Sequence, residues 1–521
     1  MASDVFFTTN PAEFTRLEGL YVAERNPPGF IRGADLSAVG IGGVTVRGPT
    51  APQQVTSTSR FLEVYGGRDR GNGGALANEI WAALVNKPMG SLWIRRVAAA
   101  DAVAASLTVE TGVDGTGTAV MRIDASSVGA WGGDVKVRID DASDGDANHF
   151  NLRVLYLGTE TVYENLNINT ATDNNLAEVT GDDIANTITL TKLADGRPAS
   201  FSTITEADWE AKDGGVSAVD ENYMALGTTL TAYTSVAGDD GTLVAADYNS
   251  ALTDLSNTNG IAIVEMAGAS VDQNSLHATM VLEAANVTDR VFVTWSGTHG
   301  QAVATETANL TTDITTRSDR IIWCFNSPYT LDPETGLELA RGPHEWMACV
   351  LTNNDVDIHP GARQTADQLA GIKRLSSETL TRADLIALRA AGICTLEKLS
   401  GLFLFRSGVT TDLTTGKTEI TRRRSADFLQ LSAADKLREF VKAKNTIEAR
   451  AQIAGLLVGF SQSLRDQQRV VEQFAIDQES VNTEAQRAQG VEKVLWRVKL
   501  IGHILHLVLE TEIGTGVVIE A

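Results

Sequence analysis

Residues 37–49 read SAVGIGGVTVRGP, and this segment decides the fold class of the chain. Residues 37–46 form a nearly continuous apolar run, which is typical of a strand that is buried on both faces of a sheet. Arg47, Gly48 and Pro49 then end the run, as turn residues do. The segment therefore predicts a strand inside a parallel or mixed sheet.

Helical and strand patterns alternate around this segment. The apolar residues of segments 56–65 and 76–87 have helical spacing, and glycine or proline follows each segment. Further short apolar strands and potential helices follow, and such alternation predicts a mixed-sheet α/β core formed by residues 25–100 and 261–420. The additional predicted strands are 92–97, 261–264, 291–294 and 321–324, and the additional predicted helices are 273–285 and 301–311.

Residues 101–260 differ from this core in charge and in pattern. They contain 26 Asp or Glu residues and 7 Lys or Arg residues, and so supply −19 of the formal net charge of −23. Short stretches at 119–123, 135–139, 152–156 and 187–190 alternate apolar and polar residues, which favours antiparallel strands with one solvated face. We therefore expect an inserted, acidic, β-rich outer domain.

The C-terminal part of the chain predicts a third type of structure, a helix-plus-sheet domain at residues 421–510. Its first fifty residues, 421–470, carry ten Lys or Arg against five Asp or Glu. We predict one helix over 425–444 and a second over 445–464, with Asn445 and Glu448 as its capping pair and Ile453, Leu456, Leu457, Phe460 and Leu464 on its apolar face. Residues 491–509 alternate like a strand, and residues 511–521 form a β-prone arm behind a flexible, glycine-containing joint.

Charge and composition exclude several classes of function. A net charge of −23 argues against a general nucleic-acid or anionic-membrane binder. No apolar run reaches the roughly 18 residues that a membrane span requires. The N-terminus, MASDVFFTTNPAEF, has no basic start followed by an apolar block, so we expect no secretory signal and a protein made in the cytoplasm.

The sequence contains no motif that demands catalysis. Gly40-Ile41-Gly42-Gly43 lacks the dinucleotide-binding spacing, and close packing in a strand is its more ordinary interpretation. His503 and His506 are not placed as a metal pair, and the acidic loop 140–146 lacks the ligand spacing of a calcium loop. We expect no metal, no cofactor, no catalytic residue and no enzymatic activity.

The three cysteines, Cys324, Cys349 and Cys394, are widely separated and form no C-x-x-C pair. Cys324 lies in an apolar run, where a buried reduced thiol is expected. An interchain disulfide remains open at this stage.

Several segments together resemble the tail sheath proteins of contractile phage tails and related contractile injection systems. The similar segments occur in the family's order: GLYVAE at 19–24, AVGIGGVTVRGP at 38–49, VTS at 55–57 with Phe61, YGG at 65–67, SLWIRRV at 91–97, GPH at 342–344, ACV at 348–350 with Asp355, HPGA at 359–362, LIALRAAGIC at 385–394, and RRR at 422–424 with Asp427 and Phe428. The acidic insert lies outside this resemblance.

The resemblance implies a structural subunit that polymerises helically, in stacked hexameric rings, around a tail tube. Contraction of such a sheath drives the tube through a host envelope for genome delivery. The implied partners are further copies of the chain, the tail tube protein, and the baseplate and tail terminator proteins, with no direct nucleic-acid or membrane contact. The implied location is the virion tail, with assembly in the host cytoplasm. The sheath of a phage-derived injection particle is the alternative within the same class.

The resemblance also implies two sets of interaction residues. Arms at residues 1–24 and 511–521 would add strands to the sheets of neighbouring subunits, and a basic surface would face the tube. The implied arm residues are Phe6, Phe7, Leu20, Tyr21, Val22, Val517, Val518 and Ile519, and the implied tube-facing residues are Arg422, Arg423, Lys436, Arg438, Lys442 and Lys444.

Other interpretations of the same features stay open. The basic stretch is also compatible with an ordinary solvated helix face, and less so with a nucleic-acid contact. The chain as a whole is also compatible with a cytoplasmic α/β enzyme carrying a β-rich insert, or with an adhesin or surface-layer protein, which would normally carry a secretion signal.

Overall fold

The computed structural model describes residues 5–7, 20–22, 30–67, 79–84, 91–112, 117–168, 187–201, 223–227, 234–268, 273–332 and 336–505. The chain divides into two compact units, a smaller one formed by Met1–Ala34 with Ser425–Ala521 and a larger one formed by Asp35–Arg424. No helix in the described part of the chain combines the length and the apolar character that crossing a membrane requires.

The elements are numbered in chain order. The strands are β1 (Val5–Phe7), β2 (Leu20–Val22), β3 (Val39–Val44), β4 (Gln53–Val55), β5 (Leu92–Val97), β6 (Ser106–Glu110), β7 (Ala119–Ala125), β8 (Lys136–Asp141), β9 (Phe150–Tyr156), β10 (Thr159–Leu166), β11 (Ile188–Lys192), β12 (Met224–Ala225), β13 (Ser235–Val236), β14 (Ile263–Met266), β15 (Val291–Thr294), β16 (Ile321–Phe325), β17 (Pro328–Leu331), β18 (Glu338–Ala340), β19 (Ile372–Leu375), β20 (Ile393–Leu399), β21 (Leu402–Phe405), β22 (Val471–Asp477) and β23 (Leu495–Leu500). The α-helices are α1 (Thr58–Tyr65), α2 (Glu79–Leu84), α3 (Ala245–Asn257), α4 (Gln273–Asn286), α5 (Val303–Asp313), α6 (Pro343–Asn353), α7 (Arg382–Ala391), α8 (Ile420–Leu437), α9 (Ile447–Asp466) and α10 (Glu484–Ala488).

The larger unit is built on an eight-stranded sheet in the order β21-β20-β16-β15-β14-β3-β5-β4. Strand β3 lies in its interior, parallel to β14 on one side and to β5 on the other. The outer strands β4 and β21 run antiparallel to their neighbours, so the sheet is mixed, as the sequence predicts. A Cβ atom on Gly42 would clash with Met266 Sδ, so the glycines of β3 serve close packing and the prediction of close packing is confirmed.

Helices cover both faces of this sheet, because alternate residues of each buried strand point to opposite faces. One core contains residues of α1, α2 and α6 with the sheet, including Phe61, Ile80 and Trp346. The other contains residues of α3, α4, α5 and α7, including Leu252 and Leu310. The predicted helices 56–65, 273–285 and 301–311 are confirmed to within a few residues as α1, α4 and α5.

The acidic insert contains two four-stranded antiparallel sheets, ordered β10-β9-β8-β12 and β11-β7-β6-β13. Their buried residues form one shared core, which includes Leu107, Ile123, Val137 and Leu152. The four predicted strands of the insert are confirmed as β7, β8, β9 and β11. The predicted boundaries of this and the other domains remain predictions.

Two helix predictions for the C-terminal region are wrong in their limits. The first helix begins at Ile420, five residues before the predicted start, and ends at Leu437, seven residues before the predicted end. A short 3₁₀ turn follows at Arg438–Phe440. The second helix is capped by Thr446 rather than Asn445, because the Thr446 hydroxyl accepts a hydrogen bond from the Ala449 amide. Of the strand predicted over 491–509, Leu495–Leu500 is confirmed as β23, and residues 491–494 and 501–505 are not strand. Residues 506–509 lie outside the described residues.

Candidate interaction surfaces

The smaller unit contains a sheet of only two strands. Strands β22 and β23 pair antiparallel, with Gln473 opposite Lys499 and Asp477 opposite Leu495. Among the described residues, no third strand pairs with either of them. Each strand therefore presents one outer edge of backbone N–H and C=O groups, which is the arrangement that accepts an added strand.

The two-stranded sheet packs on helix α9 but is incompletely covered. Phe474, Ile476 and Trp496 are only partly buried, although each is a large apolar side chain. Trp496 donates a hydrogen bond from Nε1 to Ser461 Oγ at 3.0 Å, and the Arg465 guanidinium lies 5.8 Å from the centre of the Phe474 ring. The sheet thus has a defined inner face on α9 and apolar surface that further strands could shield.

The N-terminal arm residues form a small sheet of their own. Strands β1 and β2 are parallel, and their matched residue pairs are Val5 with Leu20, Phe6 with Tyr21, and Phe7 with Val22. Within the described residues, neither strand pairs with β22 or β23. The C-terminal arm residues Val517, Val518 and Ile519 lie outside the described residues. Strand donation by either arm remains a prediction.

The six predicted tube-facing residues divide between the two units. Arg422 and Arg423 belong to the larger unit, and Lys436, Arg438, Lys442 and Lys444 to the smaller one. Arg423 forms an ion pair with Asp319 at 3.4 Å, and Lys436 with Glu439 at 2.6 Å.

The remaining cations are more accessible. Arg422, Arg438, Lys442 and Lys444 are exposed, and so are all residues of the connection 441–446 that precedes α9. Val441 on this connection and Ile447, the first residue of α9, are also exposed, by 67% and 72%. The loop thus presents both cations and apolar side chains to its surroundings, and its contact with the tube remains a prediction.

A groove along α9, which the sequence analysis missed, is a further feature of the smaller unit. It has a volume of about 750 Å³ and is lined by the apolar residues Phe30, Ile31, Phe428, Leu456, Phe460 and Leu464. Small residues recur along it at four-residue intervals, at Ala451, Gly455, Gly459 and Ser463. That spacing places them on one helical face, so it is the sequence signal that could have revealed the groove.

The larger unit contains a buried hydrogen-bonded chain of side chains that resembles a catalytic triad in geometry. Asp313 Oδ2 lies 3.0 Å from His277 Nδ1, and His277 Nε2 lies 2.9 Å from Thr294 Oγ1. His277 is fully buried and Thr294 is 4% exposed, so a substrate cannot reach the hydroxyl in this conformation. These hydrogen bonds satisfy the buried polar side chains between α4, α5 and β15, so the three residues have a structural role.

Two glutamates beside the same sheet, the buried Glu306 and the partly buried Glu79, have raised pKa values. Desolvation raises the pKa of Glu306 to about 7, although Trp323 Nε1 donates a hydrogen bond to its Oε1 at 2.7 Å. Desolvation likewise raises the pKa of Glu79 to about 7, against a lowering by the hydrogen bond from the Val44 amide. Among the described residues, no group of three or more His, Cys, Asp or Glu side chains is placed to hold a metal ion.

All three cysteines are free and buried. Burial raises the pKa of the Cys394 thiol to about 12 and raises that of Cys324 well above its ordinary value, so neither forms a thiolate at neutral pH. The expected buried thiol at Cys324 is confirmed. An interchain disulfide, which the sequence left open, would require these side chains to leave the core.

The solved structures described below share their fold with this chain. No protein-family model and no curated protein sequence matches the chain. Among solved structures, a sheath tail protein from Desulfitobacterium hafniense is 14% identical, with a TM-score of 0.54 over 93% of this chain and 100% of that one. A sheath tail protein from Listeria innocua is 10% identical, with a TM-score of 0.57 over 90% of this chain and 96% of that one.

The helical sheath of the anti-feeding prophage in its contracted state is also similar. It is 9% identical, with a TM-score of 0.53 over 96% of this chain and 99% of that chain. These likenesses extend over nearly the whole length of each protein and therefore include more than the segments that carry the sequence resemblance. The chain has the mixed α and β, multidomain fold of sheath tail proteins.

Proposed function

We propose that the chain is the sheath subunit of a contractile tail and not an enzyme. The observation that carries the proposal is the shared fold, which covers at least 90% of this chain in each of the three sheath structures described above. Subunits would polymerise helically, as stacked hexameric rings, around a tail tube in the virion tail, after assembly in the host cytoplasm. The baseplate and the tail terminator would contact the two ends of this sheath.

The open two-stranded sheet supports a specific mode of polymerisation. An arm strand from one neighbour would pair with the outer edge of β22, and an arm strand from another with that of β23, by β-augmentation. About five backbone hydrogen bonds at ~1 kcal/mol each, with two or three buried apolar side chains at ~2 kcal/mol each, give on the order of 10 kcal/mol per strand. Ordering about five arm residues removes most of this, so each link is modest and several are needed.

Contraction would then be a change of packing between the globular parts while the arm links remain connected. Such a transition needs two stable arrangements of one interface and no nucleotide. It would drive the tube through the host envelope and deliver the genome. The sheath of a phage-derived injection particle is the second candidate, favoured by the similarity in fold to the contracted anti-feeding prophage sheath. Particles that contract but contain no nucleic acid would identify this second function.

The first test is electron microscopy of the purified full-length protein, which should show striated hollow tubes. Phe6→Asp and Val518→Asp, which place a charge in the arm strands, should abolish these tubes. Thr8→Asp and Thr515→Asp carry the same charge at neighbouring polar positions and serve as matched controls. Loss of tubes in both sets, or in neither, would contradict strand donation by these residues, and small oligomers with saturable turnover would favour the enzyme instead.

The second test concerns the tube. We propose that the exposed loop between α8 and α9 contacts an acidic tube surface through Lys442, Lys444 and Arg438. Lys442→Glu with Lys444→Glu should abolish attachment to the tube while sheath polymers still form. Lys373→Glu with Arg382→Glu reverses two exposed cations of the larger unit and is the matched control. Equal attachment of both double variants, measured by co-sedimentation with purified tubes, would contradict this tube contact.

A further inference from the structure

We propose that Cys324 and Cys394 form a redox modification site, at which a peroxide converts the two buried thiols into an intrachain disulfide. The bond would link β16 to β20 within the larger unit. This inference does not depend on the proposed sheath function, because it concerns two strands of one chain.

The two cysteines are direct neighbours across parallel strands. Cys324 on β16 is the register partner of Cys394 on β20, although the two lie far apart in sequence. Register partners point to the same face of a sheet. Both side chains accordingly belong to one buried core, which also contains Trp346 of α6. The two thiols therefore face the same space.

The spacing of the strands suits a disulfide. Neighbouring strands lie about 4.7–4.9 Å apart, and the Cα atoms of a disulfide usually lie about 4.4–6.8 Å apart. The Cβ atoms of register partners are about as far apart as the strands, slightly beyond the roughly 3.5–4.5 Å of a typical bond. Closure would therefore draw β16 and β20 slightly together without changing their register.

The two side chains also influence each other. Desolvation raises the pKa of Cys324, and the charge of Cys394 is the next cause of that increase. The Cys394 thiol donates a hydrogen bond from Sγ to the Val409 carbonyl at 3.1 Å. Closing the bond requires this thiol to turn away from Val409, which gives up one weak hydrogen bond.

The third cysteine is an internal reference for burial. Cys349 is 0% exposed, as Cys324 and Cys394 are. It lies on helix α6 and not on a strand. Burial is thus matched among the three thiols, and the strand register distinguishes the Cys324–Cys394 pair.

The reaction balances with hydrogen peroxide, a small and uncharged oxidant. The Cys394 sulfur forms a bond to one peroxide oxygen, the O–O bond breaks, and the leaving hydroxide takes the thiol proton as water. The Cys324 sulfur then attacks the sulfenic sulfur, the S–O bond breaks, and a second water carries away the Cys324 proton. Two thiols are oxidised to one disulfide, and one peroxide is reduced to two waters.

The test is peroxide oxidation of the folded full-length protein, followed by denaturation, alkylation of the remaining thiols and mass spectrometry of tryptic peptides. Urea below the unfolding transition lets peroxide reach the core by local opening. The wild type should fall from three free thiols to one, with Cys324 joined to Cys394 and Cys349 alkylated. Cys349→Ala should form the same bond, and Cys394→Ala should form no disulfide.

A matched control moves one thiol out of register. Cys394→Ala with Leu396→Cys shifts it two residues along the same buried face of β20. We expect about tenfold less disulfide than in the wild type, because the register partner has the higher effective concentration. Equal yields in these two proteins would overturn the proposal. So would wild-type bonds to Cys349 or between chains, or three free thiols after prolonged exposure of protein with native circular dichroism.

Discussion

The pH dependence of stability should change when Glu306 is replaced by glutamine. Glu306 is 1% exposed, and its carboxyl group accepts a hydrogen bond from the buried indole of Trp323. Desolvation raises its pKa from an ordinary value of 4.5 to about 7, with a smaller raising contribution from Asp313. The folded protein therefore holds a proton that the unfolded chain releases between these two pH values.

The sign and size of the effect follow from this difference. The raised pKa contributes stability that is fully present below pH 4.5 and is lost as the pH rises to about 7. A shift of this size is equivalent to about 3 kcal/mol. Wild-type protein should thus lose about 3 kcal/mol through this group between pH 4.5 and pH 8, and Glu306→Gln, which keeps an acceptor oxygen for Trp323, should lose none of it.

The assay is urea denaturation of both proteins at pH 5, 6, 7 and 8, with the free energy of unfolding extrapolated to water. The free energy of unfolding of Glu306→Gln minus that of the wild type should increase by about 2–3 kcal/mol from pH 5 to pH 8. Glu306→Ala should also remove the pH dependence but should be less stable at every pH, because it leaves the Trp323 N–H without its acceptor. Glu484→Gln, at an exposed site, controls for the substitution. A variant profile parallel to the wild-type profile would refute the reasoning.

Three other substitutions test the packing. Arg96→Met should lower the free energy of unfolding by about 3 kcal/mol in urea denaturation, because the Arg96 guanidinium donates to the carbonyls of Gly48 and Val128, which link the core to the acidic insert. Gly392→Ala should cost about 2 kcal/mol in the same assay, since Gly392 has φ +88° and an added Cβ would lie 2.9 Å from the Thr410 carbonyl. Leu457→Ala, on the buried side of α9, should destabilise the smaller unit by about 3 kcal/mol, detected as earlier loss of the native Trp496 fluorescence. Unchanged stability in any of the three would contradict the packing role assigned to that residue.

The sequence predicted the central sheet well because its strands carry their own signal. The buried strands of the core are short apolar runs, and the helices between them have clear stop signals. Gly66, for example, caps α1 with φ +78° at the predicted position. Strand order was beyond the sequence, because no local pattern shows that β3 pairs with β14, which lies on the far side of the insert.

The helix limits in the C-terminal region depended on tertiary structure. Residues 422–424 appear from the sequence to be a solvated basic run, yet Arg424 is buried and donates from Nη2 to the Leu36 carbonyl at 3.0 Å. Neither glycine nor proline marks the end of α8 at Leu437, so local propensity could not predict it. Asn445 and Thr446 are both good N-cap residues, and only the backbone geometry selects Thr446.

The buried polar groups could not be predicted either, because they combine residues that are distant in sequence. His277, Thr294 and Asp313 come from three different elements, and only packing brings them into hydrogen-bonding distance.

The groove on α9 is the opposite case. Its small-residue spacing is visible in the sequence, but four-residue spacing of small residues also occurs on buried helices, so only the exposure of this face reveals its significance.

The smaller unit has a consequence for how folding and assembly are linked. A two-stranded antiparallel sheet is marginally stable in water, and here Phe474, Ile476 and Trp496 remain partly exposed on it. Any strand that pairs with an outer edge binds the folded unit and not the unfolded one, so it stabilises the fold by mass action. If arms of neighbouring subunits supply these strands, as proposed, each subunit completes the sheet of another. The free subunit would then be the least stable form of the protein, and stability would rise with each neighbour added.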